Sequence, residues 1–277
     1  REMLYTGFVL LFLTALAGRM LSANNIRHIY EPPYKFDTNA YFSFTQFVKK
    51  MAGNNFGRFA IYISLLSLTA QISAPFGAVY MLKHLHFSYK EFTAVIMLNS
   101  IFAIFSLSFW GRFSDRFGCM SIIRVTGWIL PFLPSMWLMA PYFNSISHNT
   151  VFVFLLIQQS VSGLIWAGFE FAAGNFIYHA VTPQRTAICA SYFSIINCTG
   201  ALLGGLIGGL IASMNFSFFG FPPILFLFLL GAVLRFTVFI TVGSSVKEVK
   251  KVECLTIDGA KNSLRDFLAD FKPGFIG

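Results

Sequence analysis

Seven runs of roughly twenty apolar residues dominate this chain of 277 residues, near 3–22, 58–82, 92–110, 120–140, 151–177, 188–213 and 222–243. A bilayer core of about 30 Å is crossed by a helix of about 20 residues, so each run is long enough to span one. Inside lipid every backbone N–H and C=O must find a partner within its own segment, which leaves helices as the fitting element. The predicted fold class is therefore all-α, a polytopic membrane helix bundle. Composition excludes the soluble alternative: 11% of residues are charged and 56% hydrophobic, with 35 Phe and a mean hydropathy of +0.68. Soluble domains carry about 25% charged residues.

The connections between runs alternate in charge. One set carries Arg27, Lys35, Lys49, Lys50, Arg112, Arg116, Arg185, Lys247, Lys250 and Lys251; the opposite set has Lys83 and Lys90, while 141–150 and 214–221 hold no Lys or Arg. Basic loops stay in the cytoplasm, so the expected orientation puts the N-terminus outside and the C-terminus inside. The net charge of +9 is thereby a topological signal, and no nucleic-acid partner is expected. The first run lacks the basic flank and cleavage site of a secretory signal.

Between the third and fourth runs lies Gly111-Arg112-Phe113-Ser114-Asp115-Arg116-Phe117-Gly118. The sequence reads as a tight hairpin, with three charges and two glycines in a very short connection. The pattern G-x-x-x-D-R-x-G in that place resembles the signature loop of the major facilitator superfamily of transporters. The family's fullest version continues with two basic residues; here Cys119 and Met120 follow, as is commoner in the copy of the family's C-terminal half. The resemblance implies that 1–22 is the last helix of an N-terminal half, 23–57 a cytoplasmic central linker, 58–243 a C-terminal half of two inverted three-helix repeats and 244–277 a cytoplasmic tail. The chain would then be a fragment, its partner the missing N-terminal half of the same protein.

The resemblance also implies a conformational latch at Gly111, Asp115, Arg116 and Gly118. Physically, the Asp115 carboxylate is suited to cap a neighbouring helix N-terminus, where the macrodipole favours negative charge. The Arg116 guanidinium suits a forked pair with a carboxylate or helix-end carbonyls. The simpler reading is a hairpin whose charges only hold it in the cytoplasm. Pro183 and Arg185 occupy the equivalent connection later in the half, a weaker echo. In the tail, Asn262 and Ser263 followed by Leu264, Phe267, Leu268 and Phe271 predict an amphipathic surface helix.

Polar residues inside the runs are the candidate substrate or proton site: Glu170, Gln71, Asn99, Asn175, Asn197 and Arg235. Glu170 is the single acidic residue within a run, and a carboxylate in lipid should face the bundle interior or water. It either binds a proton or cationic group during transport or forms a structural ion pair with Arg235, which sits at nearly the same depth. Arg235 could instead snorkel to headgroups. Gln71 precedes Pro75 by four residues, where the proline interrupts the helical ladder. Asn99, Gln158, Gln159, Asn175 and Asn197 bond either a substrate or a neighbouring helix. Trp137 and Trp166 either stack on a ligand or anchor at the interface.

Gly200, Gly204, Gly205, Gly208 and Gly209 form an expected helix-packing face built on G-x-x-x-G spacing, with Gly200, Gly204 and Gly208 as its core. Cysteines 119, 189, 198 and 254 have no metal-ligand spacing and read as reduced thiols; no cofactor or metal is expected. His84 and His86 would not share a helix face.

The expected partners are the lipid bilayer, a small-molecule solute and a coupling proton or sodium ion. The leading function is a secondary active permease working by alternating access. A seven-helix receptor fits the same span count and orientation. An enzyme has no motif to stand on, since H-E-x-x-H, a serine or cysteine with a base and an acidic metal cluster are all missing from the sequence.

Overall fold

The computed structural model describes residues 2–28, 41–214 and 222–250, together with positions 252, 259 and 265. It divides the chain into two compact units, 1–38 and 39–277. Among its described residues the first contains one helix, α1 (Glu2–Ile26). The second begins with a short helix, α2 (Phe44–Lys50), started by Ser43 and Gln46, whose side chains each accept from the other's backbone N–H. Seven helices of the described residues, counting α1, are long and apolar enough to cross a membrane.

Within the second unit, α3 (Asn55–Ser73) starts where the Asn54 Oδ1 accepts from the Gly57 N–H at 2.6 Å. Pro75 breaks it, and the span continues through α4 (Phe76–Val79) and a π-helical turn at Tyr80–His84. The next span is one unbroken helix, α5 (Tyr89–Phe117), opened by a Ser88–Glu91 capping box. The fourth is cut by prolines 131, 134 and 141 into α6 (Cys119–Ile129), α7 (Phe132–Met136) and α8 (Ala140–Ile146). The remaining spans are α9 (His148–Ala180), α10 (Pro183–Ser213) and α11 (Pro223–Thr241). Prolines at the first helical turn of α10 and α11 fit there because those N–H groups have no intrahelical acceptor.

Packing follows a reciprocal rule. Helix α3, first of its triplet, lies against α10 and α11, while α9, first of the second triplet, lies against α5 and α6. Two buried clusters fill the interior. One gathers Phe59, Tyr62, Phe117, Met120 and Phe176 toward the end that carries Gly118; the other gathers Tyr80, Met81, Trp137, Leu155 and Phe228 at the opposite end. Apolar faces of α5 and α10 remain exposed, Ile104 at 68% and Leu210 at 68% among them.

The predicted hairpin is corrected here. Residues 111–117 are the last two turns of α5, and the reversal is made by Gly118 alone, at φ 81° and ψ 165°. Only glycine adopts that backbone readily, so α6 can start at the very next residue. The predicted tail helix around 262–271 lies outside the described residues.

Candidate functional site

Helices α3, α5, α9 and α10 line a half-open cavity of about 740 Å³. Its polar wall consists of Ser67 and Gln71 from α3, Asn99 from α5, Glu170 from α9 and Asn197 from α10. Alanines 70, 74, 103, 167 and 201 and Gly163 supply much of the rest, so the space exists because the facing side chains are small. Helices α6, α7, α8 and α11 contribute no lining residue.

The polar groups differ in what already holds them. Asn197 accepts a hydrogen bond from the Ser67 hydroxyl through its Oδ1. The Asn99 Nδ2 donates to the backbone carbonyl and the side-chain Oε1 of Gln159, both at 3.0 Å. Glu170 is exposed to the cavity and makes no ion pair among the described residues. Gln71 also lines the cavity, and its amide has no hydrogen-bond partner among the described residues. An apolar helix surface with two unengaged polar heads facing one space can bind a small polar ligand, a cation or a proton.

Two candidates fall elsewhere. Asn175 donates to the Phe171 carbonyl of its own helix and does not line the cavity. Arg235 is 4% exposed, and the expected pairing with Glu170 gives way to other partners. Its Nη2 donates to the Ala70 carbonyl at 3.3 Å and to the Ser73 hydroxyl at 2.9 Å, and its guanidinium lies 5.9 Å from the Trp166 ring centre. Arg235 points into α3, while Glu170 opens onto the cavity. Gln158 is buried and donates to the Leu133 carbonyl at 3.2 Å. Trp137 stacks on Phe228 in the second cluster, and Trp166 lines the cavity.

The glycine face splits in two. A Cβ at Gly200, Gly204 or Gly208 would overlap the carbonyl oxygens of Ser64, Leu68 and Ile72 respectively, whereas Gly205 and Gly209 meet nothing within 4 Å. The first three lie four apart and share a face; the other two are rotated about 100° away from it.

At the Gly118 end, sequence reasoning missed Glu248. Its Oε2 accepts from the Met120 N–H at 2.8 Å, so the carboxylate that caps α6 comes from the segment after α11 rather than from Asp115. Asp115 and Arg116 are exposed on the last turn of α5, Arg116 lying 5.3 Å from the Phe117 ring centre. The same segment is fastened by Asn55, whose amide exchanges two 2.8 Å bonds with the Lys247 backbone, and by Arg124, which donates to the Val246 carbonyl at 3.3 Å. The signal was present, since one acidic residue stands among three lysines at 247–251, but nothing local points it to α6.

Among the described residues, Cys119 and Cys189 are buried free thiols, Cys198 is an exposed one, and no cluster of His, Cys, Asp or Glu could hold a metal. No curated protein and no solved structure matches the chain. The family model described as Major Facilitator Superfamily matches residues 59–266, three quarters of the sequence and all six spans of the second unit. This multi-pass integral membrane protein thus belongs to the Major Facilitator Superfamily, a family of transporters of small solutes.

Proposed function

We propose that the chain is the C-terminal portion of a permease that moves a small polar solute by alternating access, with the cavity between α3, α5, α9 and α10 as its half of the binding site. One observation carries this reading: Gln71, Asn99, Glu170 and Asn197, scattered over 127 positions of an apolar chain, converge on a single 740 Å³ space. Glu170 and Gln71 are the ligand-binding groups, because the amides of Asn99 and Asn197 are already tied to neighbouring helices. Glu170 exchanges a proton or a sodium ion with the solute's passage. The end bearing Gly118 faces the cytoplasm of a plasma or bacterial inner membrane, on the strength of the basic connections. There Gly111, Asp115, Arg116 and Gly118 form one side of a latch, and Glu248 holds the turn in shape behind them.

In vesicles containing the full-length protein, solute uptake is expected to respond to an imposed pH or sodium gradient. Glu170→Gln should abolish that response while leaving the protein folded. Gradient-dependent uptake that survives in Glu170→Gln would remove Glu170 from the coupling site.

A further inference from the structure

Behind Trp166 lies a second cavity of about 310 Å³ that shares Ala74 and Trp166 with the large one. Arg235, Ser73, Gln158, Gln159 and Ser162 form its polar wall, and Trp137 and Phe228 are among its apolar wall. Two buried polar atoms there stand without a partner among the described residues, the Arg235 Nε and the Gln158 Oε1. Arg235 as a whole is 4% exposed and Gln158 2%.

A cation in this position carries a large desolvation penalty unless an anion sits beside it. The groups that Arg235 touches offset only part of it. Ala70 and Ser73 supply dipoles, and the Trp166 ring at 5.9 Å supplies the weak attraction of its face. Among the described residues no carboxylate pairs with it, since Glu170 opens onto the other cavity. With Nη2 already donating twice, the Nε–H is a further donor left for an anion. The unpartnered Gln158 Oε1 accepts in turn, and so favours an O–H or N–H on the same molecule.

We propose that the inner cavity binds the carboxylate of a small organic acid, held by Arg235 and oriented by Gln158 and Ser73. The assignment of that acid as the transported solute rests on the permease reading; the binding site itself does not. Its volume suits an anion of a few carbons, at the lower end of small-molecule sites. Trp166, which lines both spaces, is the side chain the acid passes in moving between Arg235 and Glu170.

The test uses the purified full-length protein and thermal unfolding with acetate, lactate or succinate, each against its carboxamide, and with chloride. At least one acid is expected to raise the midpoint saturably, its carboxamide binding about 30-fold more weakly or worse. Arg235→Gln should lose that response. If Arg235→Gln does not fold, Gln158→Leu replaces it and should weaken lactate without affecting acetate, which has no hydroxyl to donate. Equal responses to acid and carboxamide, no response to any acid, an unchanged response in Arg235→Gln, or an unchanged lactate response in Gln158→Leu would overturn the proposal. So would chloride matching the acids, because the site would then hold an inorganic counter-ion. Vesicle uptake separates the two readings: acid binding without uptake sinks the permease and leaves the site, whereas uptake without acid binding does the reverse.

Discussion

Two helix pairs occupy equivalent places in the reciprocal packing, α3 with α10 and α5 with α9, and they are joined in opposite ways. Along α3–α10, glycines at 200, 204 and 208 ride directly on carbonyls at 64, 68 and 72, so backbone meets backbone over two turns. The side-chain bonds that cross this seam, Ser64 to the Ile196 carbonyl and Ser67 to Asn197, gather toward one end of the glycine row. Along α5–α9, Gly163 alone meets backbone, at the Asn99 carbonyl. The rest is keyed by side chains: the Trp110 indole lies over Gly168 and its Nε1 donates to the Leu164 carbonyl at 2.9 Å, while Asn99 holds Gln159. Small residues and side-chain keys are thus alternative solutions to one problem. With no hydrophobic force between helices in lipid, close contact or hydrogen bonding must supply the attraction.

That contrast can be broken most forcefully at its key. Trp110→Ala leaves a void between α5 and α9 and should destabilise the protein by about 3–5 kcal/mol, read as a lower unfolding midpoint in detergent. A cost near zero would mean that the seam is not keyed. Gly204→Ala comes next, at about 1–3 kcal/mol, because its Cβ meets the Leu68 carbonyl and the helices must part. Asn99→Ala removes two bonds and should cost roughly 1–1.7 kcal/mol, toward the upper end for hydrogen bonds between membrane helices. Ser67→Ala removes one, and about 0.6 kcal/mol is expected. Gly205→Ala, with nothing within 4 Å of its Cβ, should stay within about 0.5 kcal/mol of the parent. Equal losses at Gly204 and Gly205 would erase the distinction between the two glycine faces.

How much of this was legible beforehand depends on whether a feature is written along the chain or around it. The spans and their number follow from length and hydropathy, and Gly118 sits where the charge pattern placed a turn. Even so, the helix of α5 runs through Arg112, Asp115 and Arg116, since charged residues form helix readily once outside lipid. Four of the six polar candidates reach the cavity, because an apolar membrane helix turns its rare polar groups inward. Azimuth was not legible: α9 is hydrophobic nearly all round, so the sequence could not say that Glu170 and Arg235, expected at similar depth, look into different spaces. Helical spacing separates Gly204 from Gly205 in principle, yet only the α3 carbonyls decide which face is used. Glu248 was out of reach for another reason, as it bonds a residue 128 positions away.

The site between the two seams is tested most directly by access rather than by stability. With the four cysteines of the chain replaced by serine, a single Ala167→Cys in the full-length protein places a thiol on the cavity wall beside Glu170. A membrane-impermeant thiol reagent should label it from either side of sealed vesicles, as alternating access of one cavity requires. Labelling from one side only, under all gradients, would contradict the permease.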